Sequence, residues 1–219
     1  MLSKKSQTCS IFHKLKSKIA SNIKTSLLED KELIYRLIKN DEIAFGYLVD
    51  TYSKKVYNTC VGMLQNMEDA EDVTQEIFIT IHLNIKDFKA ESSLSTWIYR
   101  ISVNKCLEFI RKKSRKKRSG ILRSIFSLDG NQAIENHSDF IHPGIELENK
   151  ERSIALFKAI DLLPDQQKTA FILHKLEQVS YHEIAAIMEV SLSAVESLLF
   201  RAKQNLKKHL LNYYEENEK

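Results

Sequence analysis

Apolar residues recur at intervals of three and four along most of the chain, the spacing that lines one face of an α-helix at about 100° per residue. Leu33, Ile34, Leu37 and Ile38 form a first such set, and Phe45, Leu48, Val49, Tyr52, Val56, Tyr57 and Cys60 a longer second one. Ala70, Val73, Ile77 and Ile81 line a third helix, whose acids sit mainly at its start, where the helix dipole favours them. In the fourth, Tyr99, Val103, Cys106, Leu107 and Ile110 share one arc, while Trp97, Arg100, Asn104 and Arg111 share another. The pattern breaks between about Ser119 and Asn149, where Gly120, Gly130, Pro143 and Gly144 stand among polar residues and predict a linker. It resumes through Ile154, Leu156, Phe157, Ile160 and Leu163; Pro164 restarts a helix carrying Phe171, Ile172 and Leu176. Ser180-Tyr-His-Glu183 has the spacing of a capping box. A short helix from Ile184 to Met188, a turn at Glu189-Val190-Ser191, and a long helix with Leu192, Val195, Leu199, Ala202, Leu206 and Leu210 inside then follow the helix-turn-helix plan.

The expected fold is therefore all-α: two helical domains joined by a flexible linker, the C-terminal one containing a helix-turn-helix. Five Gly and two Pro in 219 residues agree with this, and few strands are expected. The expected boundaries are a basic N-terminal extension over 1–28, a helical domain over 29–118, a linker over 119–147, a helix-turn-helix domain over 148–212 and an acidic tail over 213–219. The extension has two readings, an amphipathic helix or a loose tail; a transit peptide would be Arg-rich, and this segment has no Arg.

Charge sharpens the picture. The net charge of +4 hides two blocks, six Lys without an acid in 1–28 and seven cations between Arg111 and Arg118, so that the rest of the chain is acidic. Cation blocks on an acidic background point to a polyanion. The second block continues the face of Trp97, Arg100 and Asn104, which supplies an aromatic for stacking, an amide for base edges and guanidinium groups for phosphates. On the helix of Ala70, the opposite face offers Glu71, Asp72, Gln75, Ile79 and His82, an acidic surface with one β-branched apolar residue that suits a basic protein partner. Each of these faces has a plainer reading as an ordinary solvated surface or, for Trp97, as core.

Cys9, Cys60 and Cys106 form no CxxC or Cys/His pattern, so neither a disulfide framework nor a zinc site is indicated. No run reaches the roughly 18 to 20 apolar residues of a membrane span, and a cytoplasmic location is expected. No nucleotide-binding loop and no nucleophile with its base is present, so the chain is not expected to be an enzyme, and no cofactor, metal or small-molecule substrate is expected.

Four motifs in order carry a resemblance: Asp69-Ala-Glu-Asp-Val-Thr-Gln-Glu-Ile-Phe78, Ser95-Thr-Trp-Ile-Tyr-Arg-Ile-Ser-Val-Asn104, Leu163-Pro-Asp-Gln-Gln-Lys-Thr-Ala-Phe171 and Glu183-Ile-Ala-Ala-Ile-Met188. Together they resemble the extracytoplasmic-function sigma factors of bacterial RNA polymerase, over about 41–117 and 148–210. The resemblance implies a polymerase subunit that directs the core enzyme to promoters by reading −10 and −35 elements and nucleating melting. It implies docking of Asp69, Glu71, Asp72, Gln75, Glu76 and Ile79 on the β′ clamp helices. It places Trp97, Arg100, Asn104, Arg111, Lys112 and Arg115 at the −10 element, and Ser193, Glu196, Ser197, Phe200, Arg201 and Lys203 at the −35 element. Core polymerase, including the β flap, and promoter DNA are the implied partners, and factors of this kind are usually restrained by an anti-sigma factor. The chain departs from the family at Glu196 and Leu198, where basic residues are frequent, and at Glu189, where glycine is usual. Ser193-x-x-Glu196 has capping-box spacing, and Glu196 also has the chemistry to accept from cytosine N4. The competing reading is a helix-turn-helix regulator that binds duplex DNA without entering polymerase; it leaves the first two motifs without a role.

Overall fold

A computed structural model describes the backbone of residues 30–126 and 150–217. The basic extension and most of the expected linker lie outside the described residues. Among the described residues the elements are α1 (Asp30–Ile38), α2 (Glu42–Leu64), α3 (Met67–Asn84), a 3-10 turn (Ile85–Asp87), α4 (Leu94–Phe126), α5 (Lys150–Asp161), α6 (Asp165–Lys175), α7 (Tyr181–Met188) and α8 (Leu192–Asn217). The all-helical expectation holds.

The chain divides into two units, Met1–Ala44 and Phe45–Lys219. In the first, α1 buries Leu33 and Leu37. Asn40 ends the helix in the left-handed region. Asp41 then accepts from the Ile43 and Ala44 amides and from Arg36 Nε at 2.8 Å. The Arg36 guanidinium and these amides hold the Asp41 carboxyl below its usual range.

The second unit holds the candidate site. α3 packs on α4, and α8 packs on α5, α6 and α7. The inner face of α3 is Ala70, Val73, Ile77 and Ile81, all buried, as the periodicity predicts. They meet a core that also buries Leu48, Val56 and Met63 of α2 and Leu94, Ile98 and Val103 of α4. Cys60 and Cys106 lie side by side in this core with sulfurs 3.6 Å apart. Hydrogen bonding to Cys60, together with burial, raises the Cys106 thiol well above its ordinary pKa. Around α8 the core consists of Phe157, Ile160, Ile172, Leu173, Ile184, Ile187, Val195 and Leu199. Lys168, also buried, forms a 2.6 Å ion pair with Asp161. A buried ammonium needs such a partner.

Several boundaries differ from expectation. α4 does not end near Ser119 but runs through Gly120 to Phe126. One glycine costs a helix interior about 1 kcal/mol, a weak signal that a continuous hydrogen-bond ladder overrides. Pro164 is the N-cap of α6 rather than its first residue. α8 continues to Asn217, into the segment expected as a tail.

Candidate functional site

α3 starts at Asn66, whose side chain accepts from the Asp69 amide at 2.9 Å. With its inner face fixed by four buried residues, geometry leaves Glu71, Asp72, Gln75, Glu76 and Ile79 on the exposed side. Ile79 is 59% exposed, and one turn on Leu83 is 67% exposed. Met67 is exposed at the start of the helix. Leu83 and Met67 were missed from sequence, although the i, i+4 step from Ile79 pointed to Leu83. Asp69 stands apart from its five companions: its carboxylate is tied to Lys113 of α4 at 2.9 Å. That pair pins α3 to the basic stretch of α4.

On α4 the four residues of the second arc divide. Asn104 and Arg111 are exposed, as are Lys112 and Arg115 along the same helix. Trp97 is half-buried and packs on Phe88, ring centroids 5.2 Å apart and tilted by 49°. One edge is thus committed to the protein, and the plainer reading of Trp97 as core is partly right. Arg100 is half-buried too, and its guanidinium faces α7: Nη2 donates to the Ala186 carbonyl at 2.7 Å and Nη1 pairs with Glu189 at 3.2 Å. Tyr99, placed in the core by periodicity, is buried, and its hydroxyl donates to Glu177 at 3.1 Å. Burial raises the pKa of both groups. These links join residues 78 or more positions apart. No local pattern reports them.

The helix-turn-helix is built as its sequence predicts at its first helix. Ser180 caps α7 and receives the reciprocal Glu183 carboxylate, a complete capping box. Glu189 closes the helix at φ 56°, ψ 43°, the left-handed conformation expected where glycine is usual. The second expected box is absent. Ser191, not Ser193, caps α8 through the Ala194 amide at 3.2 Å. Helix geometry then places Ser193 inside the first turn, too far along to pair with Glu196 as a cap and its third residue. Leu198 is buried and belongs to the core, so it occupies no position that a base-contacting residue would need. Ser193, Glu196, Ser197, Phe200, Arg201 and Lys203 are all exposed, Phe200 by 64%.

No helix among the described residues is long and apolar enough to cross a membrane. Among the same residues, no group of three His, Cys, Asp or Glu is placed to hold a metal.

Comparison with known proteins agrees with this division. Residues 48–116 match the family Sigma-70 region 2. Residues 153–206 match Sigma-70, region 4. The ECF RNA polymerase sigma factor SigW of Bacillus subtilis is 31% identical over 188 residues, covering 82% of this chain and 96% of the relative. The ECF RNA polymerase sigma-E factor of Haemophilus influenzae is 34% identical over 179 residues, covering 81% and 93%. Among solved structures, CnrH in complex with the cytosolic domain of CnrY is similar with a TM-score of 0.59 at 21% identity, covering 84% of this chain and 97% of that one. The sigma factor RpoE in complex with the anti-sigma factor NepR from Bartonella quintana gives 0.57 at 21% identity, covering 76% and 96%. These two likenesses show the fold.

A region 2 unit followed by a region 4 helix-turn-helix defines a two-region protein of the sigma-70 class. The chain belongs to the extracytoplasmic-function sigma factors of that family. As such it is a transcription initiation factor that binds core RNA polymerase and promoter DNA and directs the enzyme to promoters.

Proposed function

We propose that the two regions divide promoter recognition as follows. The exposed face of α3, with Asp72, Gln75 and Glu76 beside the apolar pair Ile79 and Leu83, docks on the β′ clamp helices; Glu71 flanks it, and Asp69 supports it through Lys113. Face α4 reads the −10 element. Asn104 offers both a donor and an acceptor to the edge of an unstacked base, and the exposed edge of Trp97 stacks at the melted junction. Arg111, Lys112 and Arg115 follow the phosphates. Opening costs a few kcal/mol per unstacked base, which stacking and base capture offset. α8 enters the −35 major groove with Ser193, Glu196, Ser197 and Phe200 leading, and Arg201 and Lys203 on the backbone. Glu196 would read cytosine N4, and Phe200 a thymine methyl.

The domains implied are region 2 over 29–118 and region 4 over 148–212, with the β flap as a second docking point. The protein works in the bacterial cytoplasm with no catalytic chemistry of its own. An anti-sigma factor is a further partner, by analogy with the pairing in the RpoE–NepR structure.

One observation carries this reading: a single chain exposes, in order, an acidic helix face with apolar residues, a basic helix with Trp97 and Asn104, and a helix-turn-helix. A regulator that only binds duplex DNA needs the third alone. The test is run-off transcription from a genomic template library with core polymerase, with and without the protein. New starts sharing −10 and −35 elements are expected. Duplex binding without new starts would favour the regulator.

A further inference from the structure

Cys60 on α2 and Cys106 on α4 stand 46 positions apart in the chain, yet both are fully buried and their sulfurs meet at 3.6 Å. Both are free thiols. A single buried cysteine is an inert, small apolar residue. Two in contact have a further chemistry, because a sulfenic acid formed on one condenses with the thiol of the other to a disulfide. The contact also has a direction: the Cys106 thiol donates to Cys60 Sγ. Cys106 thus keeps its proton, and Cys60 is the sulfur placed to act as nucleophile.

The pair sits directly behind the face that reads DNA. Cys106 points into the core, while Asn104, on the next turn of surface, is exposed. A disulfide holds its sulfurs about 2.0 Å apart, so closing the 3.6 Å contact draws the two sulfurs together by about 1.5 Å. Side-chain rotation takes up part of that approach and the helices the rest. Val56 and Met63 of α2 and Val103 of α4 are buried around the pair, and a close-packed core passes a shift on rather than absorbing it.

We propose that Cys60 and Cys106 form a peroxide-sensitive dithiol whose disulfide ties α4 to α2 and displaces the −10 face, shutting off promoter opening until the bond is reduced. This regulation rests on the reading of α4 as the −10 helix. The Cys60 sulfur attacks hydrogen peroxide and its O–O bond breaks: one hydroxyl stays on sulfur as the sulfenic acid, and the other leaves as water with the Cys60 proton. The Cys106 sulfur then attacks the Cys60 sulfur. The S–S bond forms, the S–O bond breaks, and the hydroxyl leaves as water with the Cys106 proton. Two thiols have given two electrons to one peroxide, and small-molecule thiols return them by exchange. Because both sulfurs are buried, the reaction waits on local opening of region 2, which reserves it for sustained oxidant exposure.

The test uses the full chain with Cys9→Ser, which removes the third thiol. The folded protein is treated with hydrogen peroxide, and a linked Cys60–Cys106 peptide pair is sought by mass spectrometry after digestion. The same samples are assayed for binding to core RNA polymerase and for opening of a promoter found in the genomic run-off, before and after dithiothreitol. The linked pair is expected, with opening reduced about tenfold, as for reading groups displaced by an ångström or more, and polymerase binding retained. Dithiothreitol should restore opening; it does not reduce methionine sulfoxide, so recovery separates the disulfide from methionine damage. A second variant, Cys60→Ala, should keep its opening under peroxide; if that variant fails to fold, recovery of the parent on reduction still decides. Absence of the linked pair from the folded chain, or its presence with opening unchanged, overturns the switch. Failure of the reduced chain to give new starts with core polymerase overturns the sigma reading and the regulation with it, and because the linked pair is read without polymerase the two failures are told apart.

Discussion

Glu183 shows how much one side chain can be derived before any fold is known. Its spacing from Ser180 predicts a capping box, and its Oε2 accepts from the Ser180 hydroxyl at 2.7 Å and the Ser180 amide at 3.1 Å. The hydroxyl, and then the amide, hold its carboxyl below the usual range. A depressed folded pKa stabilises the protein above the unfolded value of about 4.3 and ceases to do so as pH falls through the folded value. Glu183→Ala should therefore cost about 1 kcal/mol or less at pH 7, with the gap to the unaltered chain narrowing below pH ~4. Thermal melts at both pH values measure this; a gap that does not change with pH would assign the loss to something other than the carboxylate. Arg100 is the opposite case. Its residue type suggests phosphate, yet in the free chain its partners are Ala186 and Glu189.

For a single element, α3 gives the sharpest expectation. Its inner residues are legible because periodicity of 3.6 and burial coincide, and the outer face follows by subtraction. Asp72→Ala together with Gln75→Ala should weaken polymerase binding about tenfold or more with helicity unchanged, since neither side chain is buried. Titration of labelled protein with core enzyme, alongside circular dichroism, checks both parts. Unaltered affinity would remove α3 from the docking site. The helix-turn-helix was less completely legible. Ser193 has the spacing of a cap in sequence, and the chain's path gives that place to Ser191 instead. Leu198 looks like a substituted contact residue until packing buries it.

Across the whole molecule, charge gives the remaining prediction. Arg111, Lys112 and Arg115 are exposed along one helix. If each neutralises a phosphate, replacing all three with Ala should reduce the slope of log K against log salt for promoter binding by the polymerase complex by about two to three. Binding measured from low to moderate salt reads the slope directly, and an unmoved slope would mean that the cations face solvent. Pairing of Lys113 with Asp69 excludes that lysine from the count.

The sequence by itself determined what depends on neighbours within a few residues: the helices and their inner faces, the capping box at Ser180, the left-handed turn at Glu189, and, through four motifs, the family. Such features repeat at fixed spacing and are set by backbone geometry and burial of one face. Tertiary structure decided what depends on residues distant in the chain. It closed Cys106 against Cys60, spent Asp69 on Lys113, packed Trp97 on Phe88 and turned Arg100 toward Glu189. Each of those contacts depends on which helices become neighbours, and a charge or an aromatic ring carries no local mark of the partner it will find.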